Sequence, residues 1–139
     1  MSAWPGETEH TVTDEECGSL GFMDENALVG LLQRARRAWW AALGGAAGEQ
    51  RHRTWDLRLK FLHPTRVGEA LVVRPQCDEI AQRSVRLRFR IFSARTDAFV
   101  AEASTLLILV DERGRDMDVP TEVLGAAEAL EGRRFVVGP

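Results

Sequence analysis

The sequence has little cysteine, no long apolar run and no strong excess of charge of either sign. Cys17 and Cys77 are the two cysteines in 139 residues and form no C-x-x-C pair, so neither a disulfide framework nor a zinc knuckle is expected. No apolar run approaches the roughly 18 residues of a membrane span, and the start, MSAWPGETEH, lacks the basic and apolar regions of an export signal. We therefore expect a protein of the reducing cytoplasm with no membrane partner.

The charge balance and the missing motifs exclude further classes. Eighteen basic and 21 acidic residues give a net charge of −3, which argues against bulk nucleic acid as a partner. The run Gly18-Ser19-Leu20-Gly21 does not match the G-x-S-x-G motif of serine hydrolases. Three scattered histidines predict no metal site, and no cofactor is expected. A hydrophobic content of 45% and this length predict one domain over residues 1–139.

Residues 24–43 predict a long amphipathic helix. Apolar residues recur there at steps of three and four, which places them on one helix face. Asp24 is the expected N-cap, Gly44 and Gly45 are the expected end, and a loop is expected from Gly44 to His52. The apolar face consists of Leu28, Leu31, Leu32, Ala35, Ala38, Trp39, Ala42 and Leu43.

After this loop the apolar period becomes two, which predicts antiparallel strands. Pro75 predicts an edge or a bulge in one strand, and Pro120 begins a short closing helix, TEVLGAAEALEG. One helix wrapped by a curled antiparallel sheet of about five strands, an α+β fold, would bury both layers. The expected strands are a weak one at Glu9–Thr13 and longer ones at Thr54–Leu62 (with Trp55, Leu57, Leu59 and Phe61 on the buried face), Ala70–Glu79, Ser84–Ser93 and Phe99–Val110.

Two stretches carry a resemblance to a known family. They are ECGSLGFMDENALVGLLQRARRAWW (residues 16–40) and FVAEASTLLILVDERGRDMDVPTEV (residues 99–123). The first is similar to a loop D-x-D-x-x-G-H-V-N-N that leads into a helix ending in E-x-A-R, with Gly21, Ala35 and Arg36 in register. The second has the matching "VD-x-x-GR" turn and Pro-led exit. Over residues 8–125 the chain thus resembles hotdog-fold proteins of the branch that contains 4-hydroxybenzoyl-CoA thioesterase.

The resemblance implies hydrolysis of an acyl-CoA or acyl-carrier-protein thioester. It also implies a homodimer or homotetramer with an acyl tunnel between two subunits. The loop residues Gly18, Gly21 and Phe22 are then expected to bind substrate. The alternatives are a non-hydrolytic hotdog protein that binds an acyl chain or a polyketide intermediate, and a module that docks a carrier protein.

The family's catalytic groups are altered here. The usual Asp aligns with Gly18 and the first acid of its motif with Glu16, while the His-x-Asn-Asn run becomes Phe22-Met23-Asp24-Glu25. Glu16 could act as a base, its pKa raised by partial burial. A thioesterase subgroup of enediyne polyketide pathways also lacks the Asp and is thought to use a helix arginine, to which Arg36 corresponds. The helix N-terminus at Asp24 would then stabilise an oxyanion.

Each of these residues also has a purely structural interpretation. Asp24 and Glu25 could simply cap the helix, Glu16 could be a solvated loop acid, and Arg36 could form a salt bridge on the helix flank. A second candidate feature is a basic stripe on one strand, which could bind the phosphates of coenzyme A or an acidic carrier protein, or be a solvated sheet face. It consists of Arg86, Arg88 and Arg90.

Overall fold

The computed structural model describes residues 4–137 and confirms the expected fold: two helices and a curled five-stranded antiparallel sheet. The strands lie in the order β1-β3-β4-β5-β2. None of the helices in residues 4–137 is long and apolar enough to cross a membrane. The elements are β1 (Thr8–Thr11), α1 (Glu25–Leu43), β2 (Arg51–Phe61), β3 (Ala70–Ile80), β4 (Ser84–Ser93), β5 (Phe99–Val110) and α2 (Thr121–Glu131), with 3₁₀ turns at Asp14–Glu16 and Gly45–Glu49.

Helix α1 is the central helix of the fold, as its apolar face predicts. The Asp24 side chain accepts a hydrogen bond from Ala27 N–H at 2.8 Å, which confirms the expected N-cap. The helix ends at Gly44, whose φ of 73° suits a residue without a Cβ atom. The buried face differs from the predicted one at its end, because Trp40 is buried and Ala42 is exposed. Trp40 is buried because its ring stacks on His52 of β2.

The sheet core comes from strict alternation in β3, β4 and β5. The predicted inward residues of β4 are at most 1% exposed, as are Leu107 and Leu109 of β5. Strands β4 and β5 span the predicted residues, while β1 covers Thr8–Thr11 instead of residues 9–13 and β2 begins earlier than expected, at Arg51. The β4 residues are Val85, Leu87, Phe89 and Ile91.

Strand β2 contains a bulge that the sequence pattern did not predict. Its register against β5 shifts between Thr54 and Asp56, so Trp55 is the extra residue. Trp55 is 63% exposed, so the expectation that it lies on the buried face is wrong. Leu57 faces inward opposite Thr105 as expected, but it is still 39% exposed. The bulge is held by Thr105, whose hydroxyl donates to Asp56 O at 2.8 Å.

Pro75 lies in the part of β3 that does not pair with β1. Strand β1 pairs with β3 only over residues 70–73, so Pro75 lies on a free edge, and a register shift follows at residues 77–79. Of the two alternatives predicted for this proline, an edge or a bulge, the structure shows the edge, because Pro75 itself pairs regularly with Phe89 of β4. The indole N–H of Trp4 donates to Pro75 O at 2.7 Å and covers this edge.

The carboxylate of Glu131, at the end of α2, links this helix to the core. Glu131 Oε2 accepts hydrogen bonds from Trp39 Nε1 at 2.9 Å and from Cys77 N–H at 2.7 Å. Arg133 donates to the carbonyl of Cys77. Burial, together with the charge of Glu131, raises the pKa of the Cys77 thiol to about 12. Cys77 is therefore a neutral core side chain.

Candidate active site

The start of α1 is held in place by the loop that precedes it. Met23 N–H donates to Thr65 O at 2.7 Å, and Asp24 N–H donates to Glu16 O at 2.8 Å. The first N–H groups of a helix have no acceptor inside the helix. The Asp24 side chain accepts from one of these groups, Ala27 N–H. The N–H groups of Glu25 and Asn26 therefore remain without an acceptor inside the helix, and they add to the positive end of the helix dipole.

An apolar cavity of about 310 Å³ lies beside this helix start. It is formed where the end of β2 meets the loop before α1, so the fold itself brings the two together. Its one titratable lining residue is His63, which the sequence analysis did not single out. A signal existed in the sequence, because His63-Pro64 ends a strand. The cavity is lined by Phe22, Met23, Phe61, Leu62, His63, Pro64 and Thr65.

A larger open cleft of about 670 Å³ adjoins this cavity. The two share His63 and Pro64, and the cleft adds the cationic side chains of Arg66 and Arg95. The Arg66 guanidinium lies 4.5 Å from the centre of the Phe22 ring. Arg66 carried no signal in the sequence, because its proximity to Phe22 depends on a single bridge between the two backbones. The cleft, which also contains Glu69, therefore joins a surface with two arginines to the apolar cavity.

The Glu16 carboxylate is fully engaged in local hydrogen bonds. His10 Nε2 lies 2.7 and 3.0 Å from its two oxygens, and Thr13 donates through its N–H at 2.8 Å and its hydroxyl at 3.1 Å. Burial raises the pKa of Glu16, but these hydrogen bonds outweigh burial and the net pKa is lowered. The expectation of a raised pKa is therefore wrong.

Glu16 and Arg36 are attached to opposite edges of the sheet. The partner of Glu16, His10, lies in β1, whereas Arg36 Nη1 donates to Thr54 Oγ1 of β2 at 3.1 Å. Arg36 also lies 12 residues after Asp24, about 18 Å along the helix axis. Burial and the charge of Arg37 lower the pKa of Arg36. The structure thus does not bring these two sequence candidates together within one chain.

The basic stripe lies on the outer face of the sheet, opposite α1. Neighbouring strands supply acids that the local sequence lacks: Arg88 pairs with Asp78 at 2.9 Å, and Arg86 lies 3.5 Å from Asp56. Arg90 faces Glu102 in the register of β4 and β5. The stripe is therefore partly neutralised.

The predicted loop residues form the turn before α1. Gly21 N–H donates to Gly18 O at 2.9 Å, and Gly21 has a φ of 81°, which explains why glycine suits this position. Gly18 is exposed, and a Cβ atom added there would meet no heavy atom of the described residues within 4 Å. Phe22 lines the apolar cavity. Within residues 4–137, no three His, Cys, Asp or Glu side chains come together as a metal site.

A model of the thioesterase superfamily matches residues 21–99, more than half of the chain. The chain belongs to the thioesterase superfamily. The matched segment contains α1, β2 and the cavity between the end of β2 and the loop before α1. The family assignment supports a thioester hydrolase. It confirms the resemblance found in the sequence. No curated protein sequence matches the chain.

Several solved structures share the fold at low sequence identity, and some of them are named thioesterases. A Thermus thermophilus thioesterase complexed with coenzyme A and Zn has a TM-score of 0.84 and 18% identity, covering 96% of this chain and 98% of that one. A 1,4-dihydroxy-2-naphthoyl-CoA thioesterase from Synechocystis has a TM-score of 0.76 and 15% identity, covering 90% and 96%. The protein SAV2348 from Staphylococcus aureus, in complex with CoA, has a TM-score of 0.79 and 11% identity, covering 96% and 88%.

Proposed function

We propose that this member of the thioesterase superfamily hydrolyses acyl-CoA thioesters at the N-terminus of α1. The observation that carries the proposal is the apolar cavity of about 310 Å³ beside the helix start. A thioester carbonyl placed there would receive hydrogen bonds from the N–H groups of Glu25 and Asn26. These donors are fixed before the reaction begins, so they would stabilise the oxyanion without reorganisation.

His63 is the proposed general base. It is the titratable group in the cavity lining, and histidine is the side chain that enzymes use most often for general acid–base catalysis. A water molecule would attack the carbonyl carbon while His63 takes its proton, and the carbon–sulfur bond would then break with the proton passing to the thiolate. Asp24 would hold the helix start, and Glu25 is the alternative base because it is exposed in the first turn. Glu16 would support the loop through His10.

The cleft beside the cavity is the proposed site for coenzyme A. Its phosphates are anionic, and Arg66 and Arg95 are the cationic groups of that cleft. The coenzyme A complexes of two similar structures support this choice of substrate. The basic stripe on the outer face is the candidate surface for an acyl carrier protein, including one of a polyketide pathway, although acids already pair with part of it.

We propose a homodimer that closes the site through the β2 edge. Strand β2 is an outer strand with Trp55 and Leu57 exposed, and an unpaired strand edge favours association. Helix α1 packs mainly against the 3₁₀ turn at Gly45–Glu49, β3, α2 and β1, which leaves the inward side of β2 only partly covered. Antiparallel pairing of two β2 strands would cover it, and a tetramer would need a further contact.

A thiol-release assay over a panel of acyl-CoAs tests the proposal. We expect His63→Asn to lower kcat about 100-fold and Arg66→Gln to raise KM with little change in kcat. Arg113→Gln, an exposed arginine outside both cavities, is the matched control. Gly18→Asp should raise kcat, because the exposed turn has room for the side chain. No hydrolysis by the folded wild type and by the Gly18→Asp variant would refute the enzyme proposal.

The second candidate is a non-hydrolytic acyl-binding protein. It is favoured by the absence of Asp at position 18 and by the hydrogen bonds that occupy the Glu16 carboxylate. Calorimetric binding of acyl-CoA without thiol release would select this candidate.

A further inference from the structure

Three side-chain nitrogen atoms are buried together without a hydrogen-bond partner among residues 4–137. They are Arg36 Nε, Trp40 Nε1 and His52 Nδ1. Trp40 as a whole is only 3% exposed, so its indole N–H is a donor enclosed by protein. Buried donors in native proteins are nearly always satisfied, so the N–H groups of Arg36 Nε and Trp40 Nε1 point to an acceptor that the described residues do not supply.

The three residues form one cluster between the second half of α1 and the first half of β2. The rings of Trp40 and His52 stack at 5.3 Å with 18° between their planes. Arg36 lies one helical turn before Trp40 and donates to Thr54 Oγ1. His52 and Thr54 are both paired with inward-facing residues of β5, Leu109 and Leu107, so they share the inner face of the sheet.

The cluster is rich in donors and lacks a carboxylate. No ion pair among the described residues includes Arg36. Burial first and the charge of Arg36 second lower the pKa of His52, and a hydrogen bond with the Gln50 backbone offsets this only in part. The group therefore combines a guanidinium cation, an indole N–H and a neutral imidazole, which suits an oxygen acceptor.

An apolar strip of β2 connects this cluster to the cavity at the start of α1. Phe61 lines that cavity, and Leu59 and Leu57 continue along the inner face towards Thr54. The strip from residue 61 to residue 54 lies opposite residues 101 to 107 of β5, six strand steps or roughly 20 Å. These side chains are half-buried or exposed, so an acyl chain could lie against them.

We propose that Arg36, Trp40 and His52 form a subsite for an oxygen acceptor at the far end of a long acyl group. The acceptor would be a carboxylate, hydroxyl or carbonyl oxygen near the end of the chain remote from the thioester. This inference rests on the proposed function, because it places the thioester at the start of α1. In this arrangement Arg36 is a specificity-determining residue and takes no part in the chemical step, which occurs about 18 Å away.

The first test compares long-chain acyl-CoAs of equal length that end in a methyl, hydroxyl or carboxyl group. The wild type should prefer the oxygen-bearing chains by about tenfold or more in kcat/KM, and Arg36→Met or His52→Phe should abolish the preference. Arg37→Met is the matched control, because Arg37 is an exposed arginine at the next position, and it should retain the preference. Arg36→Lys should retain part of the preference for the carboxylate only.

The second test separates this subsite from hydrolysis. Calorimetry would measure binding of the free long-chain monocarboxylic acid and the dicarboxylic acid of equal length, for which no thioester is needed. Tighter binding of the diacid, lost in Arg36→Met and in Trp40→Phe, supports the subsite even if no hydrolysis is found. Equal binding in the wild type, or a preference that survives Arg36→Met, refutes it. If Arg36→Met alters the oligomeric state but not the preference, the cluster contacts a second copy and the subsite is wrong.

Discussion

The carboxylate of Asp24 has two opposing effects at the proposed oxyanion site. It caps α1, but it also places a negative charge where negative charge would develop. Asp24→Asn separates the two effects, because asparagine caps a helix about as well as aspartate but carries no charge. An oxyanion bound by Glu25 and Asn26 would lie about 5 Å from that carboxylate. Their repulsion is about 1 kcal/mol in water and about 3 kcal/mol at an effective dielectric constant of 20.

Asp24 is exposed, so the lower value applies and we expect Asp24→Asn to raise kcat about fivefold. Thiol release at saturating acyl-CoA measures this, and the gain should shrink at high salt. Urea unfolding should show a change of less than about 0.5 kcal/mol for Asp24→Asn and a loss of about 1 kcal/mol for Asp24→Ala. A kcat that is unchanged or lower in a fully folded Asp24→Asn variant would mean that the oxyanion is not formed at α1.

Three further predictions concern stability and assembly. Glu131→Ala should cost about 2–6 kcal/mol in urea unfolding, because it leaves the buried N–H groups of Trp39 and Cys77 unpaired, while Glu131→Gln retains an acceptor and should cost less; equal losses would contradict this. Glu16→Gln should lower stability by about 1–2 kcal/mol at pH 7. Since folding lowers the pKa of Glu16, that difference should vanish as the pH falls through the folded-state value, and a difference independent of pH would be inconsistent with it. Leu57→Glu should shift light scattering from two chains to one, and an unchanged mass would exclude pairing through β2.

The sequence predicted the elements whose residues alternate without interruption. In β4 each inward position from 85 to 91 is apolar and each outward position from 84 to 90 is polar, so burial follows from the period alone. Strand β2 shows where this reasoning fails, since Trp55, Leu57, Leu59 and Phe61 alternate perfectly in sequence and yet Trp55 lies in a bulge. The bulge depends on Thr105, which is 49 positions away, and no local pattern contains that contact.

The site was predictable only where its contacts are local. The Asp24 cap involves residues three positions apart and was found from the sequence. The lowered pKa of Glu16 depends on hydrogen bonds from Thr13, which is local, and from His10 in β1. The pairing of Arg88 depends on Asp78 in another strand. His63 and Arg66 were missed because they belong to the site only through the meeting of the β2 end with the loop before α1.

Because Trp55 is the extra residue of the bulge in β2, the alternation of inward and outward side chains along this strand does not depend on it. Before the bulge Thr54 faces inward, and after it Asp56 faces outward and Leu57 inward. Deleting Trp55 would therefore join the two halves into a regular strand in which each remaining side chain keeps its face. In most strands the loss of one residue exchanges the faces of all that follow. Residue 55 is thus a position within a strand at which the chain length can change by one and the core remain intact.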